Sequence, residues 1–165
     1  MNAAPADPSL LIIWHSRTGA SAAMAQAAAD GAGDAARLVP AEEAHPDVLI
    51  AADGFLFCCP ENLGSMSGLM KEMFDRAYYP ALGMIEGRPY ATLIAAGSDG
   101  AGATRQIDRI VTGWRLRRVA APLIVNLGAQ TPDAISAPKT LGVGQLNPCR
   151  DVGAAMAEGL RLGVF

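Results

Sequence analysis

Short apolar runs alternate with helix-like stretches along this chain, and that alternation limits the available folds more than any other feature. "LLIIW" (Leu10 to Trp14), "ARLV" (Ala36 to Val39), "GFLFCC" (Gly54 to Cys59), "YATLIAA" (Tyr90 to Ala96) and "APLIVN" (Ala121 to Asn126) read as strands. Most are apolar at successive positions, so both faces are buried, as in a parallel sheet covered by helices. The helical stretches include "SAAMAQAAADGAG", whose closing glycines suit a helix stop. "LMKEMFDRAYY" runs to Pro80, "ATRQIDRIVTGW" follows the fourth strand, and "CRDVGAAMAEGLRL" closes the chain. Met66, Met70, Met73 and Ala77 recur at helical spacing and are expected in the core. The predicted fold is a doubly wound α/β domain over residues 10–165, with a five-stranded parallel sheet in the order 2-1-3-4-5. Leu127 to Asn147, rich in glycine and proline, shows no clear element and reads as a flap or surface excursion.

A chain of 165 residues that is 51% hydrophobic has the length and apolar content of one packed domain. Its formal charge of −3 gives no electrostatic footprint for nucleic acid. No apolar run approaches the ~20 residues needed for a membrane span. "MNAAPADPS" lacks the basic start and apolar core of a signal peptide and is expected to be a disordered tail. Cys58, Cys59 and Cys149 show neither CxxC nor zinc spacing, and read as buried free thiols in a reducing cytoplasm.

Right-handed crossovers put every strand-to-helix loop along one edge of such a sheet, and ligands bind there, at the switch point between strands 1 and 3. Three loops reach that edge: His15 to Ser21, Pro60 to Ser65, and Gly97 to Gly102. The first offers the hydroxyls of Ser16, Thr18 and Ser21, together with the free amides of a helix's first turn. Gly19 lets the backbone come close to a ligand. This chemistry suits a phosphate dianion, although Ser21 as an N-cap and Thr18 as a turn residue would account for the same letters. No lysine follows in the loop, so the GxxxxGK[ST] pattern is excluded. "GAGDAA" (Gly31 to Ala36) follows a helix where a dinucleotide fingerprint needs a strand.

"SRTGAS", "PENLGSMSGLMKEMFDR" and "GSDGAG", in this order and at the expected strand ends, resemble the flavodoxin-like FMN-binding proteins. They resemble especially the NAD(P)H-dependent FMN reductases and quinone reductases, over Leu10 to about Val125. The resemblance implies that Ser16, Arg17, Thr18, Gly19, Ala20 and Ser21 wrap the FMN phosphate. It sets Pro60, Glu61, Asn62, Leu63, Gly64 and Ser65 beside the isoalloxazine ring, and Gly97, Ser98, Asp99, Gly100 and Gly102 on its other side. It does not extend to aromatic stacking, because Leu63 stands where many relatives carry an aromatic residue. The activity implied is electron transfer from NAD(P)H through FMN to a small acceptor such as a quinone, in a homodimer or tetramer. Because the flavin carries the hydride chemistry, no catalytic side chain and no metal are expected. A flavodoxin-type carrier exchanging single electrons with protein partners is the alternative. Such carriers are usually strongly acidic, and a charge of −3 favours the enzyme. A cofactor-free module on the same fold is a third reading.

Other residues carry plainer expectations. His15 reads as a hydrogen-bonded structural residue and His45 as a loop residue. Arg115, Arg117 and Arg118 read as a solvated basic face in preference to a site for the NADPH 2′-phosphate. Tyr78 and Tyr79 fit core packing, the flavin's open face or a subunit contact, while Glu61 and Asp99 are candidate polar contacts to its pyrimidine end.

Overall fold

A computed structural model describes residues 8–165. Parallel strands β1 (Leu10–Trp14), β2 (Ala36–Pro40), β3 (Gly54–Asn62) and β5 (Pro89–Ala96) form the body of the sheet. The short strand β4 (Ser65–Met66) folds back antiparallel on the end of β3. Two further strands, β6 (Arg117–Arg118) and β7 (Leu123–Asn126), share the far side of β5, both parallel to it. Counted by position, the order is the expected 2-1-3-4-5.

Two details differ from the five-strand expectation. The fifth position is divided between β6 and β7, and Pro122, which has no N–H for the ladder, stands immediately before the ladder resumes at Leu123. Strand β4, moreover, is an added hairpin arm. Its register (Glu61 opposite Met66, Asn62 opposite Ser65) leaves a two-residue turn at Leu63 and Gly64. Both turn residues have positive φ, 53° and 72°, as a turn matched to the strand twist requires.

Alternation along the strands divides the core between the two faces. On one face Leu10, Ile12, Leu56, Cys58 and Leu93 pack against helices α1 (Ala20–Ala32) and α6 (Val143–Leu162). These helices cross so closely that a Cβ on Gly153 would stand 1.9 Å from the Ala28 carbonyl oxygen. On the other face Leu11, Ile13, Phe55, Phe57 and Ile94 pack against α2 (Pro46–Ala51), α3 (Gly68–Ala81) and α4 (Ala101–Gly113). The methionine stripe belongs to this second core, as expected.

Residues Leu127 to Asn147 are more ordered than the sequence suggests. They hold the short helix α5 (Pro132–Ser136) and the start of α6, which begins at Val143 and runs through Pro148. An Asn-Pro pair normally marks a helix boundary. Here the carbonyl facing the proline ring belongs to Gly144, and the buried Cys149 and Met156 fix the helix against α1. Of the expected tail, residues 1–7 lie outside the described residues. The Ser9 N–H donates to Asp53 Oδ2 at 2.8 Å. Among the described residues, no helix is long and apolar enough to cross a membrane.

Candidate functional site

The carboxyl ends of β1, β3 and β5 open on a cavity of about 300 Å³. Ser16, Arg17, Thr18, Ala20 and Ser21 line one end, and Pro60, Glu61, Asn62 and Gly97 line the other. The three loops singled out in the sequence therefore converge on one site.

The β1–α1 loop has the chemistry of an anion cradle. Gly19 caps α1 in the left-handed region (φ 99°), and neither a side-chain cap nor an acidic first-turn residue occupies the helix's amino end. The amides of Ala20, Ser21 and Ala22 have no intrahelical acceptor by helix geometry, and the helix dipole favours an anion there. Ser21 is not the N-cap. It is the second helical residue, 1% exposed, and its hydroxyl has no hydrogen-bond partner among the described residues. A buried, unpaired hydroxyl in a cavity wall is costly unless a ligand uses it. Ser16 Oγ accepts the Gly19 N–H at 3.1 Å and so fixes the turn.

The other two loops are joined by Glu61. Its carboxylate accepts the Gly100 N–H at 2.9 Å and the Ala103 N–H at 3.0 Å, capping α4 from a distant strand. Gln106 extends the tie, since its Oε1 accepts the Met66 N–H at 2.8 Å. A Cβ on Gly102 would meet the Gly64 carbonyl oxygen at 1.9 Å, so only glycine permits this approach. Glu61 thus fills the amino end of α4 and leaves that of α1 as the one turned to the cavity.

Several expected site residues stand outside the cavity wall. Leu63 is 105% exposed at the hairpin tip, and Gly64 and Ser65 complete that arm. Ser98 and Asp99 are exposed, while Gly100 and Gly102 are spent on the start of α4. Gly19 acts through its backbone as the helix cap.

Conversely, Leu127, Ala129, Ile135, Ser136 and Lys139 form a wall that the sequence did not announce. They come from the segment after β7, which is pinned where Lys139 N–H donates to the Thr18 carbonyl at 2.8 Å. A pairing between residues so far apart leaves no local signal in the chain.

The remaining candidates are structural. His15 is 8% exposed, and its Nδ1 lies 2.8 Å from Ser67 Oγ. Burial holds its imidazole below the ordinary value, Glu42 pulls the other way, and Arg17 adds to the lowering. Exposed His45 precedes Pro46 at the start of α2. Arg117 and Arg118 pair with the amino end of β5, at the opposite edge of the sheet from the cavity. Arg118 bridges to Asp108 at 3.2 Å, and Arg115 sits 3.8 Å from Glu86. None of the three can meet a cofactor at the carboxyl edge. Tyr78 stacks on buried Trp114 at the far end of α3, and Tyr79 packs edge-on against Tyr78. The three thiols are free and buried, and burial pushes Cys59 up to about 12 and Cys149 up to about 11, so they are inert.

Comparison with known proteins agrees with this architecture. Residues 39–131 match the profile of the NADPH-dependent FMN reductases. A curated flavodoxin from Aquifex aeolicus (strain VF5) is 33% identical over 97 residues, 56% of this chain and 52% of the relative. The chain therefore aligns with only about half of that relative's length. Among solved structures, a flavodoxin from the domain Archaea superposes with a TM-score of 0.75 at 16% identity, covering 93% of this chain and 99% of the other. A flavodoxin, WrbA-like protein from Agrobacterium tumefaciens gives 0.69 at 23% identity, covering 94% and 98%. Those two superpositions establish the fold.

Proposed function

The chain belongs to the NADPH-dependent FMN reductase family, and we propose that it binds FMN and uses it to pass electrons from NAD(P)H to a small acceptor such as a quinone. The observation that carries this reading is the amino end of α1: without a side-chain cap or an acidic first-turn residue, and adjoined in the cavity wall by Arg17 and by Ser21, whose buried hydroxyl has no partner among the described residues. That donor set fits the phosphate dianion of FMN.

In this reading Ser16 and Gly19 shape the turn, the first-turn amides and the Thr18 and Ser21 hydroxyls hold the phosphate, and Arg17 supplies charge. The Pro60–Asn62 backbone and Gly97 border the ring. Glu61 sets the spacing between them through α4. Bound flavin supplies the redox chemistry, which is why the cavity needs no acid–base pair.

Among the described residues, no aromatic side chain lines the cavity. A ring held there keeps a face without a protein stack, open first to a nicotinamide and then to an acceptor. This favours the reductase. The 33%-identical flavodoxin favours the alternative of an electron carrier that exchanges electrons with protein partners. Anaerobic mixing of FMN-loaded protein with NADPH or NADH distinguishes the two. A reductase loses its visible absorbance promptly and regains it with a quinone. A carrier stays yellow, and that result would overturn the reductase assignment.

A further inference from the structure

Residues 130–141 form a strap between two fixed points. At one end Leu127 N–H donates to the Ala96 carbonyl at 2.8 Å, and the Ala129 carbonyl oxygen lies where a Cβ on Gly97 would stand only 2.5 Å away. At the other end Lys139 N–H donates to the Thr18 carbonyl, and Leu141 is buried in the core under α1. The strap therefore runs from the ring side of the cavity to the phosphate loop. Its last ten residues, 132–141, lie beyond the region that matches the family profile.

Between its anchors the strap is exposed, and α5 is a five-residue helix that cannot hold itself in water. Lys139 supplies what it lacks. The ammonium donates to the carbonyls of Ala134 (2.7 Å), Ile135 (3.1 Å) and Ala137 (2.6 Å), using all three of its hydrogens. Lys139 thus joins the phosphate loop through its backbone and closes α5 through its side chain. The result is a fixed positive charge on a residue that lines the same cavity as Ser16, Arg17, Thr18 and Ser21.

We propose that Lys139 and the strap it holds select for a ligand that ends in a phosphate monoester. This rests on the FMN reading and adds to it. A terminal dianion at the amino end of α1 meets a second cation besides Arg17. A ligand without phosphate gains nothing from that charge. A diester carrying a further nucleotide would have to leave the cavity where Lys139 N–H closes on Thr18, and would have to displace the strap. Selection for FMN over riboflavin and FAD is therefore set in part by a segment outside the matched region.

The test is equilibrium titration of wild type, Lys139→Met and Lys139→Arg with FMN, riboflavin and FAD, at low and at moderate salt. Lys139→Met should weaken FMN about tenfold at low salt through the loss of a through-space attraction between charges, and less at moderate salt. It should leave riboflavin within about twofold and narrow the preference for FMN over FAD. Lys139→Arg keeps the charge and should recover most of the FMN affinity. An Lys139→Met protein with wild-type FMN and FAD affinities overturns the proposal, as does equal loss of FMN and riboflavin. A wild-type chain that binds no FMN overturns the FMN reading and this proposal with it, whereas FMN-binding wild type beside an unaltered variant overturns the strap alone.

Discussion

Replacing Glu61 with alanine should loosen the ring side of the cavity while leaving the phosphate loop intact. The carboxylate accepts two backbone N–H groups, those of Gly100 and Ala103, and both residues are buried. A hydrogen bond to a charged group contributes about 1.5–3 kcal/mol net, and a buried donor left unpaired costs about 1–3 kcal/mol. Because Glu61 is only half-buried, the lower part of each range applies. The two bonds together then amount to about 2–4 kcal/mol, including the favourable placement of an anion at the amino end of α4. For a chain of this size each kcal/mol moves the melting temperature by about 2–4 °C, so Glu61→Ala should melt roughly 5–15 °C lower. Glu61→Gln keeps one acceptor oxygen and should lose about half as much.

Urea unfolding followed by far-ultraviolet circular dichroism measures this directly, with an unchanged slope showing that the cooperative unit is preserved. The same variant should bind FMN and riboflavin more weakly by the same factor, since Glu61 ties together the loops that carry Pro60–Asn62 and Gly97, which are proposed to border the ring both ligands share. A Glu61→Ala protein within about 0.5 kcal/mol of wild type would refute the view that this carboxylate joins the two loops. Loss of FMN affinity alone, with riboflavin unaffected, would place Glu61 at the phosphate instead.

Thr18→Ala removes a hydroxyl assigned to the phosphate and should weaken FMN roughly 10- to 150-fold, with riboflavin barely changed in parallel titrations. Gly153→Ala drives a methyl against the Ala28 carbonyl, 1.9 Å from the ideal Cβ position. It should cost at least about 1–3 kcal/mol in urea unfolding, and unchanged stability would mean that α1 and α6 separate freely. His15 sets a pH dependence. Burial lowers its folded-state pKa, so the unfolded chain binds the extra proton and stability falls as pH drops below about 6.5. His15→Asn should flatten that part of a stability–pH curve, and an unaltered curve would exclude His15 as its source.

How much of this site could be read from the chain depends on how locally each part is specified. The β1–α1 loop was legible because strand, glycine and helix follow one another, and its unpaired amides arise from the helix end itself. The sheet order was legible because runs such as "GFLFCC" admit burial on both faces. Glu61 was expected as a polar contact to the flavin's pyrimidine end, and in the fold its carboxylate accepts the backbone amides of residues 100 and 103, a contact that only folding creates. Leu63, expected at the ring, occupies the turn of a hairpin whose second arm, Ser65–Met66, is too short to show alternation. The strap was hidden for a further reason. Its sequence, "QTPDAISAPKTL", has the composition of a loop, and its helix is held by polar contacts: Thr131 Oγ1 accepts the Ala134 N–H, and one lysine donates to three carbonyls. Composition reports which segments can pack by burying apolar surface. It is silent on a segment held by a few polar contacts, and that is the kind of segment that forms a cavity wall at the edge of a sheet.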